Sequence, residues 1–309
     1  MAIGARRRGS SRGRRSCSRS SCSRSCPSNR LVPELPEVEA ARRLATRVAV
    51  GRRIAAVWCA ADRIVFEGVT PARLAATLRG RLVRAARRHG KHLWLELDRR
   101  PSLLMHFGMT GGLSVPARPP LRLMSTRGWS PPGWPPRFAK LILTFDDGGR
   151  LAMADARRLG RIRLREDPRR EAPVADLGFD ALHELPPPAP FFALLRERTA
   201  PMKALLLDQT FAAGVGNWIA DEVLYQAGID PRRPARTLSR LEASRLRGRL
   251  RAVLATAVRA GADEGRYPRA WLFHRRWARD PLARTARGAR LRWETIAGRT
   301  TVWAPSAQH

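Results

Sequence analysis

Two glutamates three residues apart, Glu34 and Glu37, stand in the run Pro33-Glu34-Leu35-Pro36-Glu37-Val38-Glu39. Carboxyl groups so placed can give and take protons, or can be acids favoured by the dipole of a helix's first turn. Pro33 and Pro36 each suit a helix start. Lys91 follows Gly90 in His89-Gly90-Lys91-His92, a turn signal between apolar runs, so its ammonium stands at a hairpin tip. Alone it reads as a solvated charge. Gly214-Val215-Gly216-Asn217 joins two helical patterns. Free N–H groups at a helix start bind phosphate, and Gly permits close approach. Asn217 can cap that helix or donate to a phosphate oxygen, and an ordinary cap uses the same short pattern.

The elements that must position these groups fall into two regimes. Val38, Ala41, Leu44, Ala45 and Val48 recur at helical spacing up to Gly51. Short β-like runs follow: RIAAVWCA (53–60), RIVFEG (63–68), RLVRAARR (81–88), HLWLELD (92–98), SLLMHFGM (102–109), AKLILTF (139–145), RLAMADA (150–156) and RIRLRE (161–166). So many short strands predict a β-sandwich or barrel. Residues 114–138, rich in Pro, Gly and Trp, read as a long surface loop, and 166–190 as an interdomain linker. From residue 191 the spacing is helical through 261, and 290–305 read as two strands around Ala297-Gly298. The expected fold class is α+β. A leading helix and β-sandwich occupy 33–165, a helical domain spans 191–266, and a terminal hairpin unit spans 267–309.

The 309 residues carry a formal charge of +33, and 44% are apolar, enough for cores. Residues 1–31 hold nine Arg and no acid, which leaves +24 on the rest. Such an excess favours a polyanion, with nucleic acid ahead of an anionic membrane surface. No run is long and apolar enough to span a bilayer. Three of the four Cys (Cys17, Cys22, Cys26) lie in the first 31 residues and only Cys59 in the body, so no disulfide framework is expected and a reducing compartment fits. The leader itself has too little apolar content to fold. A transit peptide, a basic arm, a metal knot and a segment never translated all remain open readings of it.

Set in its flanks, PMKALLLDQTFAAGVGNWIADEVLYQAGIDP (201–231) resembles the helix–two-turn–helix of the formamidopyrimidine-DNA glycosylase/endonuclease VIII family. The resemblance extends over 33–309. PELPEVE looks like that family's catalytic amino terminus, HGKHLWLEL its lysine hairpin, HFGMTGGL its methionine-bearing strand and DARRLGRI its DNA-wedge loop. RWETIAGRTTVWAP is similar to the terminal hairpin of members that keep the finger shape without zinc. The resemblance implies a base-excision-repair DNA glycosylase with AP lyase activity, acting as a monomer on damaged double-stranded DNA by β,δ-elimination. It makes Pro33 the nucleophile toward C1′, Glu34 the general acid, Glu37 a supporting carboxyl and Lys91 a phosphate contact that assists catalysis. Met109, Arg157 and Leu159 would fill the gap left by the flipped nucleotide; Lys203, Asn217 and Arg299 would grip phosphates. Many relatives carry Phe where Leu159 stands.

A peptide-bonded proline nitrogen shares its lone pair with the carbonyl and is no nucleophile. Pro33 can therefore work only uncapped, so residues 1–31 are expected to be absent from the active protein. A retained leader would instead give a catalytically silent damaged-DNA binder; a general basic nucleic-acid protein is a further alternative. Residues 267–309 hold no Cys and only His274 and His309, too few ligands for zinc, so no cofactor is expected and Trp293, Ile296, Val302 and Trp303 would hold the hairpin by packing. GADEGRYPRAWLF (261–273) is short beside the lesion-capping loop of 8-oxoguanine specialists, which favours oxidised pyrimidines, hydantoins or formamidopyrimidines as the excised base. A bacterial nucleoid setting is expected, with a transit-peptide organelle protein as the alternative.

Overall fold

The computed structural model describes residues 33–116, 133–277 and 279–309. The Arg/Ser-rich leader and most of the loop expected over 114–138 lie outside the described residues. The chain opens with helix α1 (Leu35–Ala49), then β1 (Ile54–Cys59), α2 (Pro71–Leu78), β2 (Val83–His89), β3 (His92–Leu97), β4 (Ser102–His106), β5 (Gly112–Ser114), β6 (Ala139–Phe145), β7 (Arg150–Ala154) and β8 (Arg161–Arg165). These strands form two four-stranded antiparallel sheets, ordered β1-β6-β7-β5 and β2-β3-β4-β8. Alternation decides which side chains face inward. Leu93 and Leu95 of β3, Leu103 and Met105 of β4, and Leu141, Leu143 and Phe145 of β6 share one core with Val38, Ala41 and Ala45 of α1. Trp94 and Leu104 point the other way, against Val174.

One sequence expectation changes here, and one helix was not anticipated. RIVFEG is a turn, not a strand, because the Asp62 carboxylate accepts the backbone N–H groups of Ile64 and Val65 and curls the chain. Residues 71–78 are helical, capped by the Thr70 hydroxyl on the Arg73 N–H, with Pro71 at the first position.

The second domain contains β9 (Phe179–Asp180), α3 (Pro188–Arg196), α4 (Met202–Leu207), β10 (Ala212–Ala213), α5 (Asn217–Ala227) and α6 (Arg240–Arg259), and ends in the hairpin β11 (Arg292–Ile296) and β12 (Arg299–Trp303). Strand β9 pairs in parallel with β10, and Ala181 lies in the helical core. The helical domain therefore begins inside the segment read as a linker. Tyr267, Trp271 and Phe273 also belong to this core, so the hairpin unit starts later than residue 267. Val302 and Trp293 join Leu272, Leu291 and Ala304 in a separate small cluster beneath the hairpin. Ala297 and Gly298, both at positive φ, make its turn, and Ile296 pairs with Arg299.

Helix α1 belongs to both domains. Its flank from Val38 to Ala49 packs on the sandwich, while Leu35 lies wholly inside the helical core. A buried ion network reinforces the junction. Arg88 of β2 donates to Glu39 of α1 at 3.2 Å and to Asp180 of β9 at 2.5 and 3.1 Å, and Asp180 also accepts the Gly90 N–H at 2.8 Å. Removing one member of such a cluster leaves its partners desolvated and underpaired. Arg88→Ala is expected to lower stability by about 3–5 kcal/mol, read as an earlier midpoint in urea unfolding, whereas the exposed pair-breaking change Arg87→Ala should shift it by under ~1 kcal/mol.

Candidate active site

The turn between α4 and α5 is where the two domains meet chemically. Glu34, the residue capping α1, extends its carboxylate to the start of α5, where Oε1 accepts from Trp218 N–H at 2.9 Å and Oε2 from Ile219 N–H at 3.2 Å. The Leu35 N–H donates to Gly214 O at 3.1 Å. Lys91, in the two-residue turn between β2 and β3, donates Nζ to Val215 O at 2.9 Å. Gln209 shapes the turn from within, donating to Val215 O and accepting from the Gly214 N–H. The glycines serve this approach. A Cβ on Gly216 would lie 2.1 Å from Glu34 Cδ, and one on Gly214 would lie 2.5 Å from Leu35 Cδ1.

The Gly-Val-Gly-Asn turn makes its first contacts within the protein. Backbone donors of α5 hold a protein carboxylate, and Asn217 is the first helical residue behind the cap Gly216. Its Nδ2 donates to Thr300 O at 2.9 Å, tying α5 to β12.

Burial governs the protonation of the cluster. Desolvation raises the Glu34 carboxyl, opposed by the Lys91 charge and by the α5 N–H groups. Glu37 accepts the Glu34 N–H at 3.0 Å. Desolvation and then the neighbouring Glu34 push its carboxyl up to about 8. Burial pulls the Lys91 ammonium down, with both glutamates opposing and Arg299 adding to the fall. An acid that keeps its proton near neutrality beside an amine that releases one readily is a proton-sharing centre. Pro33 is buried immediately before Glu34. Next to Lys91, His92 and His106 meet across β3 and β4 with their rings tilted by 34° and centroids 4.7 Å apart. Burial first, then neighbouring positive charge, lowers them to about 3 and about 4, so both rings are neutral at pH 7. Sequence reading missed this pair; the signal was the His in each of HGKH and MHFG.

The wedge candidates come together from two loops. Arg157 and Leu159 are exposed on the turn after β7, and Leu159 shows 41% of its surface. Buried Asp155 holds that turn, accepting from Thr110 Oγ1 at 2.8 Å, Arg157 N–H at 3.1 Å and Gly160 N–H at 2.6 Å. Arg158 folds back onto Asp62 at 3.0 and 3.1 Å, leaving Arg157 and Leu159 outward. Met109 is half-buried in the turn after β4, not on the strand itself. Gly108 beside it presses on the same turn, since a Cβ there would sit 2.4 Å from the Leu159 carbonyl carbon.

Lys203 lies on α4. It is fully buried, donating to Asp221 Oδ1 at 2.5 Å and to Asn217 O at 2.9 Å, so its ammonium bonds inward instead of standing ready for a phosphate. Arg299 is exposed at the hairpin turn, close enough to influence Lys91.

Sequence profiles place this geometry among known proteins. The formamidopyrimidine-DNA glycosylase N-terminal domain matches residues 32–162, and the formamidopyrimidine-DNA glycosylase H2TH domain matches 177–267. The chain belongs to the formamidopyrimidine-DNA glycosylase family. The formamidopyrimidine-DNA glycosylase of Arabidopsis thaliana is 37% identical over 277 residues, covering 90% of this chain and 71% of that protein. The one from Thermus thermophilus is 35% identical over 289 residues, covering 90% and 98%. Among solved structures, the MutM (Fpg) protein of Thermus thermophilus superposes with a TM-score of 0.70 at 34% identity, covering 89% of this chain and 98% of that one. Lactococcus lactis formamidopyrimidine-DNA glycosylase, solved non-covalently bound to DNA containing an AP site, gives 0.73 at 25% identity over 89% and 99%. The glycosylase-family domain boundary at 177 agrees with the helical domain beginning near β9.

Glu37 gives this family member a measurable pH signature. Burial and then the neighbouring Glu34 push its carboxyl in the folded chain up to about 8, well above the ordinary range of an unfolded glutamate. Below that value, once pH exceeds the ordinary carboxylate range, the unfolded chain has lost a proton that the folded chain keeps, so this group's stabilising contribution falls as pH rises. Glu37→Gln keeps a neutral acceptor for the Glu34 N–H and should flatten the decline, seen by comparing unfolding midpoints of both proteins from pH 5 to 8.

Proposed function

We infer that this chain is a base-excision-repair DNA glycosylase with AP lyase activity, and that its chemistry runs through a Schiff base on Pro33. The observation that carries this reading is the placement of Glu34. Its carboxyl is fixed across the domain junction by α5, beside Pro33 and facing Lys91. In the proposed reaction the uncapped Pro33 amine bonds to C1′ of the damaged nucleotide as the glycosidic bond breaks and the base departs with a proton. Glu34 in its acid form protonates the sugar ring oxygen as the ring opens. Glu37 holds the Glu34 backbone and stores a proton near neutrality. Lys91 exchanges Val215 O for the phosphate next to the lesion.

Reaching the base requires its extrusion from the duplex. Leu159 and Met109 would fill the gap, with the Arg157 guanidinium on the widowed base. Asn217 and Arg299, joined through β12, would hold the phosphates around the flipped nucleotide. A recess of about 630 Å³, lined by Tyr267, Phe273, His274 and Trp277 together with Glu264, Arg269 and Arg275, would give the everted base room, and its Tyr267 wall feels the charge of Glu37 and Glu34. The segment leading to it is a single short turn, Glu264–Arg266, consistent with an open pocket and with oxidised pyrimidines, hydantoins or formamidopyrimidines as substrates. The hairpin has too few ligands for zinc, so no metal enters this scheme. No helix among the described residues is long and apolar enough to cross a membrane. The proposed workplace is the DNA of a nucleoid or, if residues 1–31 are a transit peptide, of an organelle.

Borohydride trapping on an abasic-site duplex tests the scheme. A chain starting at Pro33 should form a covalent adduct and nick the strand, and the Pro33→Gly form should trap far less. A full-length chain with an intact Val32–Pro33 bond should bind but not trap. Failure of the trimmed chain to trap would reduce the protein to a damage-binding module. Gly216→Ala should displace the Glu34 carboxylate and cut single-turnover nicking by about 10²-fold while lesion-duplex affinity changes little.

A further inference from the structure

Behind the catalytic carboxyls lies a buried cluster that the scheme above does not use. Asp221, on α5, is 1% exposed and has three partners. Oδ1 accepts from Lys203 of α4 at 2.5 Å, and Oδ2 accepts from Arg276 Nη2 at 2.6 Å and from the Val302 N–H of β12 at 3.3 Å. Arg276 is itself 5% exposed and stacks over Trp277 with its guanidinium 4.5 Å from the ring centroid. Its carbonyl accepts the Trp293 indole N–H of β11 at 3.4 Å. One residue thus touches α5 through its side chain and the terminal hairpin through its backbone.

The spacing shows what this contact does. Asn217 and Asp221 are four residues apart on α5, one turn up the same face, about 6 Å along the axis. Thr300 and Val302 are two apart on β12, on the same side of the strand and about 6.7 Å apart. Asn217 fastens Thr300 and Asp221 fastens Val302. The two fasteners match in pitch, so they fix the register of β12 on α5. Arg299 is the residue directly before the first of them.

We propose that Arg276 is a positioning residue: with Asp221 and Lys203 it latches the terminal hairpin onto α5, and so sets Asn217 and Arg299 in place beside the Glu34–Lys91 centre. The proposal rests on the glycosylase reading of that centre. Two buried cations share one carboxylate here, so the latch carries surplus positive charge toward Glu34. The groups facing Glu34 are Lys91 from the β2–β3 turn, Glu37 from α1, Arg276 and Lys203 from the latch, and the Tyr267 phenol. Lys91 and Arg276 both pull the Glu34 carboxyl down against the effect of burial. Removing Arg276 leaves that carboxyl higher, so its acid form persists to higher pH.

The test compares wild type, Arg276→Met and Arg276→Lys, all starting at Pro33, on an abasic-site duplex. Met keeps the length and apolar contacts of the stem, and Asp221 keeps Lys203 and the Val302 N–H, so the fold is expected to survive; circular dichroism and the unfolding midpoint check this. Arg276→Met should raise KM for the duplex by about ten-fold and move the basic limb of the single-turnover pH–rate profile upward. Arg276→Lys should restore both most of the way. Unchanged KM and pH profile in Arg276→Met, with wild type active, would overturn the latch. So would a loss in both variants that only tracks a smaller folded fraction. If Arg276→Met does not fold, Arg276→Gln replaces it, read by the same KM and pH criteria. An inactive wild type would instead overturn the glycosylase reading.

Discussion

The contact on which the site depends is a carboxylate placed against the start of a helix from another domain. Glu34 is 1% exposed, and an ionised group at that depth is strongly disfavoured unless its oxygens are filled. The first N–H groups of α5 fill them, and the helix dipole favours negative charge at the same point. Neither domain satisfies this alone: without Glu34 the α5 donors are orphaned inside the protein, and without α5 the carboxylate is buried unpaired. Gly214 and Gly216 are required because the approach leaves no space for a Cβ. The junction therefore has little freedom at its catalytic end. Any opening of the domains around DNA must occur elsewhere.

That fixed carboxylate also sets the proton inventory. Glu37 keeps its proton because it is dry and, next, because Glu34 is near, and Lys91 gives up its proton more easily because burial outweighs the help of two glutamates. In the proposed reaction a secondary amine attacks as a free base and the sugar ring oxygen takes a proton as the ring opens, and a dry cluster whose carboxyls hold protons beside an amine that yields one suits both steps. The arrangement requires no strongly shifted group outside the cluster, because proximity and desolvation supply it.

Local features of this architecture were legible in the sequence, and long-range partnerships were not. Short β-like apolar runs marked β3, β4 and β6; Gly90 and Ala297-Gly298 marked the two hairpin turns; and helical spacing found α1 and α3 to α6. The Glu34–Trp218 contact joins residues 184 apart, and nothing local in either announces the other. Lys203 sits on a helix whose pattern admits a solvated lysine, and only the acid at position 221 draws it inside. RIVFEG has strand composition, yet one Asx side chain overrode it. Thr70-Pro71 was a readable helix start hidden among strand signals.

The same burial of acids shapes the surface. Among the described residues Glu34, Glu37, Glu39, Asp62, Asp155, Asp180, Asp221 and Glu222 are all buried, eight of the chain's 26 acids, against four buried cations: Arg81, Arg88, Lys203 and Arg276. Acids are withdrawn from the exterior more than bases, so the exposed side chains are weighted further toward cations than the composition alone suggests. Such a surface holds any duplex through its phosphates, whatever the sequence, and cannot distinguish damaged from sound DNA. In the proposed scheme discrimination comes from short-range parts that act on one nucleotide: the Arg157–Leu159 turn held out by Asp155 and Asp62, and the rigid carboxyl centre behind it. The acids that the surface lacks are the ones holding those parts in position, which makes general affinity and local precision two results of one distribution of charge.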